Sequence, residues 1–312
     1  MLNRRHLRIK VMQAIYAMHQ SGSDDLAKEE KFMLTSAENI LDLYLLLLSS
    51  LIELREKEEE FLEISSKKHL ATAEEKNPNR KFVNNEVLLQ LSKNKYLAEA
   101  LDSRKIQNWK KNDDAIILLL QEVKNSNIYQ DYMQSAKTGF ETDKDFIADL
   151  FENVIATCSS LYNYIEDQKL TWIDDLPVVN TKILKDLRAI SEGNLRMPSI
   201  YKDNDDRDFA VDLFRKTLLN ENQFAKEYSE KTIGWDVERV AEIDAIILKM
   251  AICEFLKFPS IPVKVTINEY LEISKEYSTP KSSVFLNGIL DNLSKEFKEN
   301  DKLSKSGRGL LE

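Results

Sequence analysis

The chain is poor in the residues that bend, staple or coordinate. Its 312 residues include 7 glycines, 6 prolines, 2 cysteines and 3 histidines. Most β-rich folds spend more glycine and proline than this on their turns, so the scarcity favours helices. Cys158 and Cys253 belong to no C-x-x-C pair and read as free thiols in a reducing compartment. His6, His19 and His69 form no H-E-x-x-H or other ligand spacing, so no metal site is expected. The glycines stand singly apart from Gly307 and Gly309, and neither a G-x-G-x-x-G nor a Walker-type loop occurs. No backbone cradle for phosphates or for a cofactor is therefore expected. A G-x-S-x-G elbow is also missing. The 53 acidic residues guarantee carboxylate pairs by chance, and none stands out as an acid or a base. These gaps together point away from catalysis. Signal-peptide patterning is lacking at the start, where arginines precede an amphipathic stretch. The most apolar run, Ile40 to Ile52, contains Asp42 and falls short of the ~20 residues a bilayer needs. A cytoplasmic chain without a membrane segment is expected.

What is there is helix-forming. Hydrophobic residues make up 43% of the chain, enough for one sizeable core or two modest ones. Leu, Glu, Lys and Ala dominate. Leu7, Val11, Ala14, Ile15 and Met18 form an apolar stripe over 3–20, with Asn3 as cap and Gly22 just past the end. Helical patterns follow at 36–70, 83–104, 113–125, 143–168 and 180–191. They resume at 208–228, broken by Gly234-Trp235, then at 243–257 and 265–277. A closing helix after Thr279-Pro280 carries Leu286, Ile289, Leu290 and Leu293. The fold class is all-α. The expected organisation is a basic opening helix (1–20) packing on a C-terminal bundle (208–297). Between them lies a helical insertion or diverged duplicate (21–207), and a frayed charged tail (298–312) follows. An internal echo supports duplication: Asp145-Phe146, Asp149-Leu150-Phe151 and Trp172 recur as Asp208-Phe209, Asp212-Leu213-Phe214 and Trp235. Asp114 to Leu118 also reappears as Asp244 to Leu248, although helical patterning alone yields such echoes.

Charge supplies the sharpest asymmetry. The formal net charge is -9, yet the first acidic residue is Asp24 and the opening segment carries Arg4, Arg5, Arg8 and Lys10. Cations at the positive end of a helix dipole cost roughly 0.3–1 kcal/mol each, and an anionic partner turns that cost into binding. On charge alone, an RNA-facing patch and an ordinary basic start are equally good readings.

The remaining motifs separate the two. The apolar helix with Ala251 and Glu254, the stretch I-P-V-K-V-T-I-N-E from Ile261 to Glu269, and F-L-N-G-I-L-D from Phe285 to Asp291 closely resemble the C-terminal half of the NusB family of bacterial transcription antitermination factors. Trp235-Asp236 and Glu238-Arg239-Val240 are similar to that family's lead-in. Arg4-Arg5, Arg8 and Gln13-Ala14-Ile15-Tyr16 resemble its opening helix. The resemblance covers about a third of the chain. It implies a NusB-type bundle with extra helices after the first, and no enzymatic activity. It also implies binding to boxA-type single-stranded RNA together with the ribosomal protein NusE, within the RNA polymerase antitermination complex. Carried over by position, Arg4, Arg5, Arg8, Gln13 and Tyr16 would face RNA, with Phe285 stacking on a base and Lys281 adding charge. Asp244 and Glu254 would lie near the NusE surface.

Each residue also has a plainer reading. Phe285 sits at a core spacing, Tyr16 suits a bundle edge, and Asn268 with Glu269 suits a cap and surface pair. Where the family commonly has acidic–Ser–His, this chain has Lys281-Ser282-Ser283, which puts the RNA sequence preference in question. Two other functions stay open: the helical module that precedes an RNA methyltransferase domain, and a protein adaptor without RNA binding. The RNA reading requires that the opening guanidiniums are not buried in internal ion pairs and that they lie close to Phe285.

Overall fold

Helix starts follow from local chemistry. In this computed structural model, residues 1–194, 198–229 and 241–310 are described. The first helix, α1 (Arg4–Ser21), begins where the Asn3 side chain accepts the His6 backbone N–H at 3.0 Å and ends at Gly22, whose φ of +63° is left-handed. The second, α2 (Leu26–Ser66), starts ten residues earlier than the apolar pattern suggested. Nine further helices follow: α3 (Ala73–Lys76), α4 (Glu86–Ser92), α5 (Lys95–Ser103), α6 (Asn108–Lys111), α7 (Asp113–Asn125), α8 (Asn127–Gln134), α9 (Phe140–Leu150), α10 (Ser159–Gln168) and α11 (Leu176–Ala189). The last five are α12 (Asn204–Leu219), α13 (Glu221–Ser229), α14 (Glu242–Lys257), α15 (Val263–Tyr277) and α16 (Ser282–Glu299). No strand occurs among the described residues, and none of the helices is long and apolar enough to cross a membrane. The fold is all-α.

Two compact units divide the chain. One is Glu38–Ile200 with Met1; the other joins Leu2–Ala37 to Tyr201–Glu312. The expected borders at 20/21 and 207/208 are therefore displaced to 37/38 and 200/201. The physical reason at the first border is that the start of α2 packs with the second unit: Met33 is buried and Glu30 pairs with Arg215 of α12, with one N–O distance of 2.8 Å. At the second border, α12 already begins at Asn204, capped by the Asp203 side chain.

In the first unit, α2 presents Leu43 to Leu48 as a continuous buried run. Its backbone carbonyls receive indole donors: Trp109 reaches Leu46 at 3.0 Å and Trp172 reaches Asn39 at 3.0 Å. A buried polar knot joins α4, α8 and α9. Asn85 caps α4 by accepting the Val87 and Leu88 amides. Asp143 accepts the Tyr132 hydroxyl and the Glu86 amide, each at 2.7 Å. The chain departs from α-geometry at Phe151–Ile155, where a π-turn closes with the Ala156 amide on the Phe151 carbonyl at 2.8 Å.

In the second unit, α14 is apolar nearly all round, with Ile246, Ile247, Leu248, Met250, Ile252 and Phe255 all buried. Helices α1, α12, α13, α15 and α16 surround it. Cys253 is a buried free thiol here, whereas Cys158 of the first unit is half-buried beside the Ser160 hydroxyl at 3.1 Å. The segment expected to be a frayed tail is instead docked. Lys302 pairs with Glu227 at 3.1 Å, and the Ser306 amide donates to the Pro259 carbonyl at 3.0 Å.

The internal echo puts Phe146, Leu150 and Phe151 in one unit and Phe209, Leu213 and Phe214 in the other, all buried. The second echo runs in reverse: Asp114 to Leu118 precedes its neighbour, whereas Asp244 to Leu248 follows it. A single linear duplication does not produce both orders, and helical burial periodicity suffices for each. Trp235 and the rest of the 235–240 lead-in lie outside the described residues.

Asp143→Ala should destabilise the first unit by about 2–4 kcal/mol, because it removes the acceptor of both the Tyr132 hydroxyl and the Glu86 amide. A shift of the urea-unfolding midpoint at constant slope checks this.

Candidate nucleic-acid interface

The opening helix carries its cations into an environment already stocked with carboxylates. Arg4 Nε donates to Asp206 Oδ1 at 3.1 Å, with 43% of the Arg4 side chain exposed. Arg5 forms a two-pronged pair with Glu269 of α15, at 2.9 and 3.0 Å, and keeps 39% of its side chain exposed. Hydrogen bonding to Glu269 holds the Arg5 pKa above its ordinary value.

Arg8 behaves differently and corrects the sequence expectation. Its side chain is only 2% exposed, and it grips Glu254 of α14 through Nε at 2.6 Å and Nη2 at 2.8 Å. Glu254 also accepts the Thr266 hydroxyl at 3.1 Å and the Tyr270 hydroxyl at 2.8 Å, so four donors satisfy both oxygens. The guanidinium lies over the Phe209 ring at 5.2 Å and the Tyr270 ring at 5.7 Å. Burial alone would push the Arg8 pKa down; the Glu254 charge and hydrogen bonds more than reverse this. Burial and the Glu254 charge together hold the Tyr270 hydroxyl well above its ordinary range. Arg8 is thus a core residue and not an RNA contact. Glu254, fully buried, cannot be a partner surface. Asp244 is corrected on the same ground: it is 4% exposed and accepts the Ser282 hydroxyl at 2.6 Å. The first turn of α14 faces its own bundle.

A cleft of about 640 Å³ opens beside these groups, lined by Asn3, Arg4, Arg5, Ser260, Val265, Glu269 and Arg308, with Arg8 in its floor. The sequence reading missed Arg308, whose flanking Gly307 and Gly309 were the signal. It also missed Thr266 and Tyr270, which lie inside and just after the I-P-V-K-V-T-I-N-E stretch.

The other expected RNA-facing residues are not part of this cleft. Tyr16 is 39% exposed, Gln13 and Phe285 are half-buried, and Lys281 is exposed. Helices α1 and α14 run antiparallel, because Arg8 meets Glu254 while His19 and Gln20 meet Glu242. Asp244 in turn meets Ser282, beside Lys281. The ten residues of α14 from Asp244 to Glu254 separate the two ends, about 15 Å of helix rise. Arg4 and Arg5 therefore lie at one end of the bundle and the α16 start with Lys281 and Phe285 at the other, so the expected closeness of the opening guanidiniums to Phe285 is not met: the antiparallel run of α1 on α14 carries them apart.

His6 lines the same helix start. Its Nδ1 accepts the Asn3 backbone N–H at 3.4 Å, completing a reciprocal cap. Burial first, and the Arg5 charge second, hold its pKa below the ordinary 6.5. Because the folded pKa is the lower one, the stability from this group is present above pH 6.5 and is lost as pH falls through the folded pKa. An NMR titration of the imidazole should give a midpoint below 6.5, with the Asn3 amide shifting in step.

Arg8→Ala and Glu254→Ala should each destabilise the second unit by about 3–5 kcal/mol, since each strands a buried charge. The double change Arg8→Met with Glu254→Leu should recover most of that loss in thermal unfolding.

Comparisons with known proteins agree with the motifs. The NusB family model matches residues 185–295. The transcription antitermination protein NusB of Salinibacter ruber is 39% identical over 117 residues, covering 38% of this chain and 72% of the relative. The protein of that name from Chloroherpeton thalassium is 40% identical over 106 residues, covering 34% of this chain and 50% of the relative. Its counterpart from Koribacter versatilis is 40% identical over 90 residues, covering 29% of this chain and 62% of the relative. No solved structure matches. Helix α1 lies outside the stretch matched by the family model, which begins within α11 and ends within α16. With the all-helical bundle built on α14 and relatives of this identity, the chain belongs to the NusB family.

Proposed function

We propose that this protein is a non-enzymatic transcription antitermination factor. It binds boxA-type single-stranded RNA together with NusE, and within the RNA polymerase antitermination complex it promotes read-through of ribosomal RNA operons. The relatives' shared name, transcription antitermination protein NusB, supports the general role. The observation that carries the RNA reading is the pair of half-exposed guanidiniums, Arg4 and Arg5, on one open cleft of an otherwise acidic chain.

In this reading Arg4 and Arg5 hold phosphates. Arg5 spends Nε and Nη2 on Glu269, and Arg4 spends Nε on Asp206. Their other guanidinium nitrogens are the ones to meet an anion, and Glu269 competes with it. Tyr16 and Phe285 offer faces for unstacked bases, with Gln13 and Lys281 beside them. An RNA strand that engages both groups runs from one end of the bundle to the other. NusE docks on surface residues other than Asp244 and Glu254.

Fluorescence anisotropy of labelled boxA-type and scrambled RNA, with and without NusE, tests the proposal. Arg4→Ala with Arg5→Ala should weaken binding about tenfold or more. It should also flatten the salt dependence by about 0.7 log units for each phosphate no longer held. Glu269→Gln should tighten binding by freeing the Arg5 fork. Wild-type affinity in a folded Arg4→Ala/Arg5→Ala protein would sink this site.

A further inference from the structure

The C-terminal tail is built against the arginine cleft. After α16 the chain reverses at Asp301, whose φ is +52°. The Lys302 amide donates to the Phe297 carbonyl at 2.8 Å, and its ammonium sits 5.2 Å from the Phe297 ring centre. Lys305 reaches the C-terminal end of α14, donating to the Glu254 and Phe258 carbonyls at 3.1 and 3.0 Å. A cation there meets the negative end of the helix dipole.

Next comes a glycine-dependent turn. Gly307 has φ +55°, and the Gly309 amide donates to the Ser306 carbonyl at 2.9 Å. Gly309 is buried so tightly that a Cβ would lie 1.9 Å from the Pro259 carbonyl oxygen. No larger residue fits without moving the tail off the 258–260 loop. The turn leaves Arg308 exposed on the cleft that holds Asn3, Arg4 and Arg5. Each other arginine of that cleft is tied to a carboxylate: Arg4 to Asp206, Arg5 to Glu269, Arg8 to Glu254. Arg308 is exposed and has no carboxylate partner among the described residues.

We propose that residues 301–310 form an integral part of the ligand site and deliver Arg308 to the cleft as a phosphate-gripping residue. Its ligand is a phosphodiester of single-stranded RNA, so this assignment rests on the RNA-binding reading above. Arg4, Arg5 and Arg308 approach the phosphate from segments at opposite ends of the chain. The glycines at 307 and 309 are positioning residues, because the tail's path fails without them.

The test uses the full-length protein and a short fluorescent single-stranded RNA titrated across a range of salt. Arg308→Ala should bind about tenfold more weakly and lose about 0.7 log units of salt slope, with an unchanged melting midpoint. Arg308→Lys should restore the slope through its charge but only part of the affinity, lacking the planar fork. Gly309→Val should lose as much affinity as Arg308→Ala, and combining the two should cause no further loss. Wild-type binding by Arg308→Ala, alongside impaired binding by Arg4→Ala/Arg5→Ala, would overturn the tail's role and leave the RNA reading standing. Full binding by Gly309→Val would overturn the positioning claim. Should the wild-type protein itself ignore RNA, both readings fall together.

Discussion

The second unit depends on a single ion pair. Arg8 and Glu254 are both shut away from water, where an isolated charge is intolerable. Their geometry decides the matter: two charge-assisted hydrogen bonds join them, and Thr266 and Tyr270 complete the carboxylate. Phe209 lies beneath the guanidinium. The knot therefore engages α1, α12, α14 and α15 at once. Such a pair adds less net stability than a well-packed apolar cluster would, but it specifies the arrangement, because any register that separates the partners strands a charge. It fixes where α1 lies on α14, and hence where Arg4 and Arg5 emerge.

The electrostatic logic of the opening helix is consequently shared between fold and ligand. Cations at the positive end of a dipole need anions. The protein supplies three of its own, Asp206, Glu254 and Glu269. Only Arg8 is fully consumed. Arg4 and Arg5 remain half in solvent, and the carboxylates beside them preorganise the side chains while competing with any phosphate. On the proposed reading, an acidic protein keeps a nucleic-acid grip without a broadly basic surface, because its few free forks converge.

Local signals were legible in the sequence. Asn3 and Gly22 bracket α1 as expected, because caps depend on a handful of adjacent atoms. The all-round apolar character of α14 announced a central helix. Long-range pairing was not legible. Nothing about Arg8 distinguishes it from Arg4 or Arg5 until Glu254 is folded against it, 246 positions later. The resemblance to NusB put Arg8, Glu254 and Asp244 on binding surfaces, whereas all three do structural work in the core. Unit borders slipped for a related reason: the helical pattern begins only at 36, whereas α2 starts at Leu26 and its first turns pack with the second unit. The tail read as frayed because its charges and glycines suit solvent, and only the 258–260 loop shows what those glycines accommodate.

The discontinuity of the second unit has a consequence during synthesis. Arg8 leaves the ribosome long before its buried counter-ion exists. At about 5–20 residues per second, the 246-residue separation means a wait of about 12 to 50 s. Over that interval α1 is a short, cationic, amphipathic segment without its core. The first unit can complete itself in the meantime, so the nascent chain carries one finished domain while its opening helix waits for the last hundred residues.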